Sequence, residues 1–156
     1  MNHRAWIVIS GFIWFFMGAF LLYKGLLLIT QAAFQVGSLC YQLQGIFKTP
    51  QQAATIFMAI GLLLGFLKGR FVLAKTVKRV VNRITSLPLP IRLKDAYSPA
   101  YWILIGSMML LGMTFRFLPI PVDLRGVIDI AIGSALINGA MLYFRMAKSI
   151  PRAATN

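Results

Sequence analysis

The chain has 156 residues, which is enough for one domain, and it carries sixteen Lys and Arg against three aspartates. Hydrophobic residues make up 59% of the sequence and charged residues 12%. In soluble domains, hydrophobic residues average about 45–50% and charged residues about 25%. So apolar a chain with a net charge of +13 argues against a soluble domain. The composition predicts an all-α integral membrane protein in which residues 1–156 form a single membrane domain.

Four apolar segments approach the length of about 20 residues that a helix needs to cross a bilayer. Thr49 followed by Pro50 is a helix-start signal for the second segment, and Ser98 with the proline after it is one for the third. Asp123, two residues after Pro121, is placed to cap the fourth. We predict four transmembrane helices, at about residues 5–29, 50–70, 99–118 and 124–146.

The basic residues predict the orientation of these spans. With the N-terminus in the cytoplasm, twelve of the sixteen Lys and Arg fall on the cytoplasmic side and only four on the other. Those four are Lys24, Lys48, Arg116 and Arg125. Because short cytoplasmic loops carry an excess of Lys and Arg, both termini are predicted to be cytoplasmic. The compact connections and the lack of an organelle signal favour a bacterial cytoplasmic (inner) membrane.

Residues 71–85 after the second span form a basic amphipathic segment. Val77, Val81 and Ile84 share one helical face, whereas lysines and arginines occupy the other. Such a helix lies along the cytoplasmic surface or extends the second span into the cytoplasm. We define the basic belt as the six basic residues between the end of the second span and this segment's last turn: Lys68, Arg70, Lys75, Lys78, Arg79 and Arg83. Its simplest partner is anionic lipid of the cytoplasmic leaflet, and a phosphorylated ligand or an acidic protein is the alternative. No nucleic-acid-reading module accompanies the charge.

Glycine spacing predicts where helices approach each other closely. One stripe repeats every seven residues in the first span and a second every four residues in the second span: Gly11, Gly18 and Gly25, then Gly61, Gly65 and Gly69. Packing inside one monomer and self-association into a homo-oligomer both fit these stripes. The segment Ala59–Gly61 recurs as Ala131–Gly133, which is compatible with a 2+2 parallel internal repeat.

Asp129 is the only acidic residue within a predicted span, about one turn below the outer surface. Lys24 and Arg116 lie at similar depth by residue counting. Charged groups in a bilayer usually face the bundle and pair, because burying one alone costs a few kcal/mol. Two interpretations follow: a structural Asp129–Arg116 ion pair with Lys24 reaching the headgroups, or a carboxylate that couples to a transported cation or proton.

Uncharged polar residues accompany Asp129 in the last two spans. Ser134 and Asn138 share one face of the fourth span, and Ser107 and Thr114 lie in the third. These four residues either form hydrogen bonds between helices or line a narrow polar path.

The sequence lacks the parts of an enzyme or of a metal or cofactor site. His3 is its only histidine and Cys40 its only cysteine, and no glycine loop for phosphates is present. We therefore expect no enzyme activity, no cofactor and no bound metal. The sequence predicts a small transport or channel component, or an accessory subunit of a larger membrane complex. The alternative is a protein that binds anionic lipid or organises the envelope through its basic face.

Overall fold

The computed structural model describes residues 3–87, 103, 106, 110, 113–114 and 117–150. Within these ranges the chain forms helices and connecting turns, without a β-strand. In chain order the helical elements are α1 (His3–Ala32), α2 (Leu39–Gln42), a 3-10 turn (Leu43–Gly45), α3 (Pro50–Lys68), a π turn (Gly69–Leu73), α4 (Ala74–Ser86) and α5 (Val122–Ser149). The prediction of an all-helical fold is confirmed.

Three of the described helices are long and apolar enough to cross a membrane: His3–Ala32, Pro50–Ser86 and Val122–Ser149. They cover the first, second and fourth predicted spans, and this supports a membrane protein. The third predicted span, 99–118, falls almost wholly outside the described residues. The count of four spans and the 2+2 repeat therefore stay predictions.

The start of α3 follows the sequence signal, whereas the start of α5 does not. Thr49 has an extended backbone and accepts a hydrogen bond from the backbone N–H of Gln52, with Pro50 in the first helical position. The prediction that Asp123 caps the last helix is wrong. Pro121 precedes the helix, and Asp123 lies inside its first turn because its carboxylate binds another part of the chain, described below.

Helix α5 packs against both other long helices, antiparallel to α1 and parallel to α3. Gly18 of α1 lies against Gly133 of α5, and Gly25 lies one heptad further along against Gly126. These contacts bring backbone against backbone, as small residues allow in lipid. The parallel pairing with α3 follows from its glycine stripe, in which Gly61, Gly65 and Gly69 lie in turn against residues 127–130, 131–134 and 135–138.

Helices α3 and α4 are continuous through the π turn, so the amphipathic segment extends the second span. The glycine stripe and its continuation through Leu73 and Val77 advance in steps of four residues. At 3.6 residues per turn, each such step drifts by about 40° around a straight helix. A wider turn with i→i+5 bonds reduces this drift, so one stripe can face α5 along the whole length.

The apolar face of α4 is covered by protein. Val77, Val80, Val81 and Ile84 are buried in one cluster with Trp6 and Ile7 of α1 and with Tyr143 and Ala147 of α5. The charged face of the helix is consequently the face left exposed.

Candidate functional site

Lys24 and Asp129 form an ion pair between α1 and α5, with the Lys24 Nζ 3.2 Å from the Asp129 Oδ2. The Asp129 side chain is 12% exposed and the Lys24 side chain 41% exposed. Lys24 lies eight positions before the C-terminal end of α1 and Asp129 seven positions after the N-terminal end of α5, which is about 11 Å at 1.5 Å per residue. This ion pair is the only polar contact of the Asp129 Oδ2 among the described residues.

The ion pair lies beside a point where three helices meet. Ile130, the neighbour of Asp129, is fully buried between Gly25 of α1 and Gly61 of α3. A Cβ added at Gly25 would lie 2.7 Å from the Gly126 carbonyl oxygen and 2.8 Å from the Ile130 nitrogen. Because the backbones meet here, the carboxylate is held on a rigid part of the bundle.

Arg116, the partner expected for Asp129, lies outside the described residues, as does Ser107. The structure brings Asp129 together with Lys24, and the Asp129–Arg116 pair stays a prediction. The described part of the chain shows the other polar residues in separate hydrogen bonds. The Ser134 hydroxyl donates to the Leu62 carbonyl of α3 at 3.4 Å. The side chains of Asn138 and Thr114 donate within their own segments, to the carbonyls of Ser134 and Leu110.

All six glycines of the two predicted stripes pack inside the chain. Gly11 faces the Phe144 ring, Gly18 and Gly25 face the α5 backbone, and the α3 stripe faces an adjoining side of α5, with Ile130 in contact with both helices. The structure thus shows the contacts expected for packing within one monomer. Self-association stays a prediction.

The basic belt forms one exposed surface along the C-terminal half of the α3–α4 helix. Each of its six residues is exposed: Lys68, Arg70, Lys75, Lys78, Arg79 and Arg83. They span sixteen residues, or about 22 Å of helix axis. The two aspartates that the structure describes, Asp123 and Asp129, both lie near the opposite end of the bundle. The belt therefore presents positive charge without a described carboxylate beside it.

A second carboxylate site, which sequence reasoning missed, joins the connection between α1 and α3 to the start of α5. Asp123 is fully buried, and its Oδ2 accepts a hydrogen bond of 2.8 Å from the backbone N–H of Cys40. Burial, followed by the charge of Asp123 and its hydrogen bond, raises the pKa of the Cys40 thiol to about 11. Cys40 lies in the connection between α1 and α3, outside the spanning helices, and its buried thiol is held in the unreactive protonated form.

Comparison of the chain with protein-family models, with curated proteins and with solved structures gives no match. The geometry of the described residues is accordingly the basis of the functional proposals.

Proposed function

We propose that this chain is a non-enzymatic, four-span protein of a bacterial cytoplasmic membrane that binds anionic lipid through its basic belt. Both termini lie in the cytoplasm. The observation that carries the lipid role is the packing of α4: its apolar face contacts protein, and Lys75, Lys78 and Arg79 are exposed on its other face. Phosphate headgroups are the most abundant anions at that level of the membrane.

The count of four spans is supported by the relative direction of two helices. Helices α3 and α5 run parallel, yet the chain leaves α3 and α4 at one end of the bundle and enters α5 at the other. If both helices cross the bilayer, the connection between Ser86 and Val122 has to cross it an odd number of times. The apolar run at 96–115 is long enough for one crossing.

Reporter fusions test this topology. We expect a reporter that is active only in the periplasm to work after Lys48 and after Pro121, and to be inactive after Ser86 and at the C-terminus. A reporter that needs the cytoplasm is the matched control and should give the reverse pattern. Equal activity after Ser86 and after Pro121 would contradict a crossing between them.

Neutralising part of the belt is expected to weaken its preference for anionic lipid. The double variant Lys75→Gln/Lys78→Gln removes two cations, each contributing about 1 kcal/mol of attraction to anionic headgroups. The preference for phosphatidylglycerol over phosphatidylcholine should fall about thirtyfold, which corresponds to about 2 kcal/mol. Competition between labelled lipids around the reconstituted protein measures this preference.

The matched control removes the same charge from the predicted outer side. The variant Lys48→Gln/Arg125→Gln should keep the preference for anionic lipid in the cytoplasmic leaflet. The measurement needs all protein molecules to be inserted in the same orientation. Equal losses in both double variants would show that net charge, and not the belt, determines the preference.

A transport or channel component, or an accessory subunit of a membrane complex, is the second candidate function. The Lys24–Asp129 pair favours it, because a carboxylate within a span is a common site for binding a cation or proton. Cation flux in proteoliposomes that is lost in Asp129→Asn, with the fold intact, would support transport. Co-purification of a stoichiometric membrane partner would support the accessory role.

A further inference from the structure

A groove between the start of α1 and the end of α5 lies apart from the basic belt. We define the headgroup groove by the residues that line it: Arg4, Val8, Phe12, Phe15, Phe144, Ala147 and Lys148. Its volume is about 490 Å³, and it is an open groove on the surface of the chain. Two cations and an apolar wall therefore border one concave surface.

The groove has a charged end and an apolar end. Arg4 lies in the first turn of α1 and Lys148 in the last turn of α5, so the antiparallel packing places both at the cytoplasmic end. Further in, the Phe12 and Phe144 rings meet edge to face, with centroids 5.2 Å apart. From Arg4 to Phe15 the groove follows eleven residues of helix, about 17 Å, and one leaflet of hydrocarbon is about 15 Å thick.

Local packing explains the shape of the groove. Gly11 lies beneath the Phe144 ring, and a Cβ there would approach the ring to 2.8 Å. The glycine lets the ring lie close to α1 and border the groove. The floor is formed in part by Ala147, which is buried and too small to fill the space.

We propose that the headgroup groove binds one anionic glycerophospholipid. Its phosphate lies between Arg4 and Lys148, and one acyl chain runs along the phenylalanines toward Phe15. The charge order matches a lipid of the cytoplasmic leaflet, with cations at the headgroup level and apolar side chains beneath. The inference rests on the proposed lipid role and orientation, but it assigns a discrete site with residues other than those of the belt.

Native mass spectrometry of the full chain, released from membranes rich in phosphatidylglycerol, tests the site. We expect one retained phosphatidylglycerol per chain in the unaltered protein. The variant Arg4→Gln/Lys148→Gln should reduce its retention about tenfold, because it removes both charge-assisted contacts to one phosphate. Val8→Phe fills the groove without changing the charge and should also reduce retention of the lipid. That result would show that retention can be lost without a change of net charge.

Arg145→Gln is the control, because Arg145 is an exposed cation near the end of the same helix and does not line the groove. It should retain the lipid. Equal loss in this control, unchanged retention in Arg4→Gln/Lys148→Gln, or displacement of the lipid by excess inorganic phosphate would each overturn the site. The belt variant Lys75→Gln/Lys78→Gln separates the two proposals: it should lower the general preference for anionic lipid and leave the single retained lipid in place.

Discussion

Gly65→Ala is expected to destabilise the folded protein by about 3 kcal/mol, at the upper end of the usual cost of adding a methyl group to a packed core. The new Cβ would overlap the carbonyl oxygen of Ala131 and lie 2.7 Å from the Cβ of Ser134. The obstructing atoms include the backbone of α5, which cannot move aside without separating the two helices. Loss of this close approach removes the van der Waals contacts that hold helices together in lipid.

Unfolding by SDS, followed by tryptophan fluorescence of the detergent-solubilised protein, measures the cost. Gly45→Ala is the control, because no atom lies within 4 Å of the position of its Cβ. Gly11→Ala should fall between them, since the atoms it meets include the edge of the Phe144 ring, which can rotate. Similar free energies of unfolding for Gly65→Ala and Gly45→Ala would contradict the packing of α3 against α5.

The spacing of the glycines predicted the stripes but not the helices that they contact. Gly18 and Gly25 repeat every seven residues, and that period indicates a surface for close approach. All the spans are apolar, so hydrophobicity does not distinguish one partner helix from another. The antiparallel pairing of α1 with α5 depends on backbone contacts with Gly126 and Gly133, which only the three-dimensional arrangement reveals.

The amphipathic pattern of α4 likewise predicted its apolar face but not what that face contacts. The sequence shows that Val77, Val81 and Ile84 share a face, but lipid and protein are equally apolar surfaces for it to contact. The structure shows that α1 and α5 cover this face. The Cys40–Asp123 hydrogen bond gave no sequence signal, because its two residues are 83 positions apart and the donor is a backbone group.

Counting residues placed Lys24 and Arg116 at the same depth as Asp129 and therefore could not select its partner. Depth is one coordinate, whereas pairing also needs the two side chains to face each other around their helices. In the structure this condition is met by Lys24.

Lys24→Met is expected to destabilise the protein more than Asp129→Asn. Removing the ammonium leaves a carboxylate that is 12% exposed without its partner, and loss of one member of a buried pair costs about 3–5 kcal/mol. We expect about 2–3 kcal/mol here, because Lys24 is 41% exposed and can reach toward the hydrated headgroups, which screen the pair. Asp129→Asn leaves an ammonium that can extend to the nearest headgroups, so its cost in stability should be smaller.

The double variant Lys24→Met/Asp129→Asn completes the cycle and should be more stable than Lys24→Met alone, because no unpaired charge stays in the bundle. SDS unfolding of the four proteins measures the coupling energy between the two residues. If the destabilisation of the double variant equals the sum of the two single variants, Lys24 and Asp129 do not stabilise each other, and the ion pair is contradicted. If Asp129→Asn abolishes cation flux yet unfolds at nearly the same SDS concentration as the unaltered chain, the carboxylate serves transport; if it instead alters stability alone, the pair is a structural contact between α1 and α5.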